Sequence, residues 1–376
     1  MGGSILGAMF RHPVSFARAV GLGLALILAG CAGLDSPIEG NDSDVRTQPG
    51  TTAGQADTLG LDMKPLDPRE LGALDGILAV TAEANRAVVF VNPATGRSFA
   101  YAGVGWAPRA IVAHPDGHTL YVANTEGDRL AFGSLSVVSP DDRREVDRID
   151  LSPYGGLRGL AMTRSGTFLY IASAVRHSVL EFNLISRNID RVFSLPAGTP
   201  SQLALNSTET RLFVTDPEGG AVHAVDLTNG NMDAVRVGGG PEGIAMTPDG
   251  LTLWVANRAD GTITLLDPYT LALQGTLLAG RYPVAIAFTR DSQKALVVLA
   301  GESAVAVFGA TSRARLQSVP VGGYPSSIAL APDDARAYVT STRDDLLSVI
   351  DLKDMQVRGS VPVGRVPMGI AWVQRR

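Results

Sequence analysis

A single cysteine, Cys31, occurs in 376 residues. That scarcity excludes intramolecular disulfides, cysteine-based zinc sites, iron–sulfur clusters and c-type haem attachment. An excess of positive charge is also missing. The chain carries 32 Lys and Arg against 37 Asp and Glu, a net of −5, which argues against a partner with a phosphate backbone and so against nucleic acid. Long helical windows are lacking too: few stretches of 12 residues escape Gly or Pro, so paired helices are excluded. What is plentiful is glycine, 42 residues and well above the usual share, which predicts many turns. Hydrophobic residues at 45% can supply a large core. Length alone would suggest two or three domains at roughly 150 residues each.

Residues 1–31 place Arg11 and Arg18 ahead of an apolar run from Ala19 to Ala29, with no acidic residue. This has the form of a secretory signal and is short for a membrane span. The run ends in Leu28-Ala29-Gly30-Cys31, which resembles the bacterial lipoprotein signal. The resemblance implies cleavage before Cys31, acylation of that cysteine as the mature N-terminus, and, with Ala32 next, sorting to the outer membrane of a Gram-negative envelope. The signal peptide is thus assigned to 1–30.

Residues 31–75 follow as a linker rich in Gly, Asp, Thr and Pro, with no sustained period. Nine acids stand there against three bases. About forty flexible residues reach roughly 35 Å, enough to hold a domain clear of a bilayer. With the signal and this acidic stretch set apart, residues 76–376 are nearly neutral, so charge on them must be judged locally.

Those residues are a repeat. Thr252-Leu-Trp-Val-Ala-Asn257 matches Thr119-Leu-Tyr-Val-Ala-Asn124, Phe168-Leu-Tyr-Ile-Ala-Ser173, Leu212-Phe-Val-Thr-Asp216 and Ala337-Tyr-Val-Thr-Ser341. Turns such as Pro115-Asp-Gly117 and Pro248-Asp-Gly250 precede several of them, and Pro-x-x-Ile/Leu-Ala or a variant lies earlier, at Pro108, Pro200, Pro241, Pro283, Pro325 and Pro367. These marks divide 76–376 into seven units of 41 to 49 residues with no remainder. Within a unit, Thr262-Ile-Thr-Leu-Leu-Asp267 and Leu347-Ser-Val-Ile-Asp351 are short, alternating or β-branched, and closed by turn formers. Four short strands per unit, seven times over, predict an all-β, seven-bladed β-propeller of four-stranded antiparallel blades.

The tetrapeptides YVAN, WVAN, FVTD and YVTS resemble those of the YVTN family of β-propellers over about 300 residues. In such propellers Pro-x-x-Ile-Ala is the inner strand of a blade. Pro367-Met-Gly-Ile-Ala-Trp372 would then be an inner strand without outer partners, and 77–103 three outer strands without an inner one. Their pairing would close the ring and remove an open sheet edge.

Inner and second strands run antiparallel, so the start of the first and the end of the second share one mouth of the central tunnel. Around the ring those stations read Arg109 with Asn124, Arg158 with Ser173, Ser201 with Asp216, Glu242 with Asn257, Val284 with Leu299, Ser326 with Ser341, and Met368 with Ala82. Every charge falls on one arc, opposite apolar or small residues, the make-up of a pocket for an amphipathic ligand. Arg109, Asn124, Arg158, Asp216, Glu242 and Asn257 are therefore the candidate ligand-binding residues, the plain alternative being that they pair with one another. An insertion around Thr125–Ser134 overhangs the same mouth, and Trp106, Tyr154, Tyr282 and Tyr324 precede inner strands there, as a recognition rim or as packing.

Catalytic constellations are not found. His12 lies in the signal, His114 and His118 flank a turn at the opposite end, His223 lies in a third strand and His177 in a loop near the mouth, so no metal centre, haem pair or Ser-His-Asp triad forms. Gly238-Gly-Gly240 opens no helix. Asp216, Glu242, Asn257 and Asn124 are hard oxygen donors that would suit Ca²⁺, although no cofactor is expected. The expected protein is a monomeric, lipid-anchored, non-catalytic propeller binding an envelope protein or a small ligand. The alternative rests on the resemblance: some such propellers are lactonases and others carry a quinone or haem. A lactonase would use Glu242 or Asp216 as base and Arg109 or Arg158 to stabilise an oxyanion.

Overall fold

The computed structural model describes residues 75–125, 132–195 and 198–375; the expected lipoprotein signal with Cys31, the expected linker as far as Leu74 and most of the expected insertion lie outside them. The first strands are β1 (Gly76–Ala82), β2 (Ala87–Asn92) and β3 (Arg97–Gly103). Blade one holds β4 (Pro108–Ala113), β5 (Leu120–Asn124), β6 (Ser134–Ser139) and β7 (Arg144–Asp150), and blade two holds β8 (Leu157–Met162), β9 (Phe168–Ser173), β10 (Ser178–Asn183) and β11 (Asn188–Ser194). Blade three comprises β12 (Leu203–Leu205), β13 (Arg211–Asp216), β14 (Ala221–Asp226) and β15 (Met232–Arg236), and blade four β16 (Pro241–Met246), β17 (Leu253–Asn257), β18 (Thr262–Leu266) and β19 (Leu273–Leu278). Blade five comprises β20 (Pro283–Phe288), β21 (Lys294–Leu299), β22 (Ala304–Gly309) and β23 (Arg315–Pro320). Blade six comprises β24 (Pro325–Leu330), β25 (Arg336–Ser341), β26 (Leu346–Asp351) and β27 (Gln356–Pro362), and the last strand is β28 (Pro367–Gln374).

Each blade is a four-stranded antiparallel sheet, and the seventh has the order β28-β1-β2-β3. The C-terminal strand pairs with the first one, Leu78 opposite Trp372 and Val80 opposite Ile370. Inner strands neighbour one another in the succession β28, β4, β8, β12, β16, β20, β24 and back to β28, so the ring is closed. The seven-bladed, all-β architecture expected from the repeat is the one found.

Second and third strands are buried on both faces, because alternate side chains enter the gaps on either side of the blade. In β1, Leu78 and Val80 pack with Tyr338 and Leu347 of blade six, whereas Ile77 and Ala79 pack with Leu120 and Val122 of blade one. Apolar clusters of this kind fill every gap between neighbouring blades. This is why the second strands read as apolar runs rather than as alternation. Outer strands such as β7 alternate exposed and half-buried, while inner strands are half-buried along the tunnel.

Buried threonines knit the inner strands together. The Thr81 hydroxyl donates to the carbonyl of Arg109 at 3.0 Å, that of Thr215 to Glu242 at 3.0 Å, and that of Thr340 to Met368 at 3.1 Å, in each case across to the next blade. The same oxygens accept from their own blade's inner strand, at Gly369 N, Gln202 N and Ser327 N. This is the physical role of the threonine in FVTD and YVTS. Blade three departs from the others in having only three residues in its inner strand. There Thr199 N donates to the Asp216 carboxylate, and backbone bonds from Ser201 N to Thr215 O and from Thr215 N to Gln202 O carry the pairing ahead of Leu203.

Candidate functional site

Inner strands begin with a shift of register. Pro108 opposes Asn124 but Ile111 opposes Val122, and the same slip occurs between Leu157 and Leu160 and between Pro241 and Ile244. A bulge re-aims the side chain it carries. The residues so displaced are Arg109, Arg158 and Glu242, three of the candidates, and they project at the tunnel.

The other three sit elsewhere. Asn124 and Asn257 are fully buried. Asn124 Nδ2 donates to Ser134 Oγ at 3.1 Å and Ser136 Oγ at 2.8 Å; Asn257 Nδ2 repeats this with Thr262 Oγ1 at 3.0 Å and Thr264 Oγ1 at 2.8 Å. Asp216 occupies the same station, accepts from Thr199 N and Gly219 N at 2.9 Å each, and faces His223 Nε2 at 3.4 Å. Burial opposes its charge, but those N–H groups and the imidazole hold its carboxyl below the usual aspartate range. These residues brace loops within their own blades, and the tunnel does not bring them together with Glu242 as an oxygen cage. Among the described residues no group of three or more His, Cys, Asp or Glu stands where it could hold a metal.

Two ion pairs mark the mouth. Arg109 Nε lies 3.5 Å from Glu83 Oε2, linking blade one to the seventh blade, and Arg258 Nε lies 3.5 Å from Glu242 Oε2 within blade four. Glu83 and Arg258 each follow the end of a second strand by one residue, where other blades have Thr125, Ala174, Pro217, Ala300 and Thr342. Enclosure in the tunnel pushes the Glu242 carboxyl above the usual glutamate range, against the pull of Arg258, Arg158 and Arg109. Its side chain is still 32% exposed, so water and solutes reach it. Arg158 is exposed and has no ion-pair partner among the described residues.

The aromatic rim divides. Tyr154 packs against the apolar cluster between blades one and two. Trp106 and Tyr282 are each 47% exposed. Arg86 stacks over Trp106, Arg258 lies over the Tyr282 ring at 5.4 Å, and Arg258 Nη2 donates to the Tyr324 hydroxyl at 2.7 Å. The insertion's residues 126–131 lie outside the described residues.

Fold and site together define a seven-bladed β-propeller with a charged tunnel mouth. No family model and no curated protein matches the chain. Among solved structures it is similar to a functionally unknown protein from Desulfotomaculum acetoxidans, with 16% identity, a TM-score of 0.70, and coverage of 80% of this chain and 99% of that one. It is also similar to Kuenenia stuttgartiensis hydrazine synthase, with 17% identity, a TM-score of 0.66, and coverage of 82% and 99%. Identities this low show the fold alone.

Proposed function

We propose that the propeller is a non-catalytic binding module that takes a small anionic, amphipathic ligand at the tunnel mouth. The observation that carries this reading is Arg158, a guanidinium with no ion-pair partner among the described residues, in a tunnel it shares with Arg109 and Glu242. Among the described residues, three arginines, at 109, 158 and 258, stand with two carboxylates, at 83 and 242, so the bulge residues and their partners leave one guanidinium for a ligand anion. Apolar Val284 and Met368 stand at the equivalent stations of the opposite arc. Asn124, Asp216 and Asn257 hold the loops and leave recognition to the bulge residues. In this reading Cys31 carries the acyl anchor and the linker holds the propeller off an outer membrane, facing the envelope compartment. Cys31→Ser should release the protein from membranes; retention would defeat the anchor. A thermal-shift screen of small carboxylates and sugar acids, with Arg109→Ala/Arg158→Ala alongside, tests the mouth.

One observation favours a second reading. A tunnel carboxyl raised above its ordinary range beside arginines is the equipment of a general acid or base, so Glu242 would serve a lactonase with Arg158 on the developing oxyanion. Asp216, locked by two N–H donors, is not available for that role. Absence of turnover across a lactone panel, with and without Ca²⁺, removes this reading.

A further inference from the structure

A second concavity opens on the same face between blades four and five, beside the tunnel mouth, with which it shares Arg258 and Tyr282. It has a volume of about 450 Å³, within the range of small-molecule sites. Two glycines are part of its lining, and they approach closely: a Cβ on Gly261 would lie 2.7 Å from the carbonyl oxygen of Gly280. Three arginines, at 258, 281 and 315, line it together with Leu278 and Tyr282, and the acid among the lining residues, Asp260, accepts the Gly239 N–H.

The cationic groups are set in place before any ligand arrives. Arg315 donates to the Ala279 carbonyl at 3.1 Å and lies 3.7 Å from Glu302, whose carboxylate also takes the Arg281 backbone N–H at 2.7 Å. Arg281 gives one N–H to the Gly301 carbonyl and has no carboxylate against its guanidinium among the described residues. Guanidinium donors left over in a fixed fork suit an oxyanion. Beside them Leu278 is 82% exposed and Tyr282 47%, an apolar flank that water covers poorly.

We propose that this cleft is a ligand site for a small oxyanion joined to an apolar ring or short chain, Arg281 and Arg315 holding the head and Leu278 and Tyr282 the tail. It does not depend on the tunnel reading. Phenyl phosphate is the probe, with inorganic phosphate as its tail-less counterpart, titrated calorimetrically into the full chain. We expect a saturable component at least tenfold tighter for phenyl phosphate than for phosphate, weakened at least tenfold by Arg281→Gln, several-fold by Leu278→Ser, and still present in Arg158→Ala, which removes only binding at the tunnel mouth. Equal affinity for the two anions, insensitivity to both cleft substitutions, or loss of binding in Arg158→Ala with the cleft variants intact would overturn it, and the last result would move the anion to the tunnel.

Discussion

The Thr215 hydroxyl of blade three donates to the Glu242 carbonyl of blade four at 3.0 Å while accepting the N–H of Gln202 at 2.9 Å. One fully buried side chain thus joins two inner strands and fixes the backbone that carries the tunnel carboxylate. Thr215→Val keeps the shape and strands both backbone partners, at a cost of about 1–3 kcal/mol. Urea unfolding should show that loss, and a comparable one for Thr340→Val; a change within error would mean the staple is dispensable.

Ring closure depends on a close approach. A Cβ on Gly369 of β28 would lie 2.3 Å from the carbonyl oxygen of Arg109 in the next inner strand. Gly369→Ala should therefore cost about 1–3 kcal/mol through overpacking. Deletion of 365–376, which removes β28 altogether, should abolish cooperative unfolding. A sharp, unshifted melt of the truncate would contradict closure as the stabilising device.

Between blades two and three, Glu181 is buried and held by both Arg191, as a two-pronged ion pair, and the Tyr170 hydroxyl at 3.0 Å. Arg191 also donates to the Leu227 carbonyl at 2.8 Å, crossing the gap between the blades. Arg191→Ala leaves a buried carboxylate uncompensated and should cost about 3–5 kcal/mol. The double variant Arg191→Leu/Glu181→Leu should recover much of that in chemical denaturation.

Glu242 gives the protein a pH dependence of definite sign. Its folded-state carboxyl is raised above the ordinary 4.5, so between that value and its folded pKa the native state holds more protons than the unfolded chain. Stability contributed by this group is complete below 4.5 and declines as pH rises, with a limiting slope of about 1.4 kcal/mol per pH unit. Glu242→Gln should flatten that limb of a Tm-against-pH curve. Asp216 acts in the opposite sense, its lowered pKa giving stability that is lost as pH falls below the ordinary 3.8.

The fold was legible because each unit repeats its marks at fixed spacing: Pro before the inner strand, YVAN-like second strands, and Asp-Gly turns. Even the closure followed from phase, since an inner strand at Pro367 has no later partners. The mouth was legible in part. Arg109, Arg158 and Glu242 occupy stations where other units have Val284, Ser326 and Met368, and a charge that breaks a repeat stands out. Asn124 and Asn257 recur in equivalent blades because they do the same bracing job, a signal available in the repeat itself. Glu83 and Arg258 carry no signal in the repeat because they sit one residue beyond the strand end, and only the folded loop turns them back onto a bulge. The cleft at Arg281 and Arg315 joins a loop to the start of an outer strand, a relation that no spacing along the chain encodes.

The most direct test of the tunnel mouth is calorimetric titration of whichever carboxylate or sugar acid most stabilises the full chain, repeated with Arg158→Ala. A ligand at 100 times its Kd adds about 2.7 kcal/mol of stability, which a melt detects readily. Without the unpaired guanidinium the bound anion has no ion pair to form at that position, so affinity should fall at least tenfold while the free protein's Tm changes little. Equal affinity in the wild type and in Arg158→Ala would contradict the assignment of the mouth as the binding site.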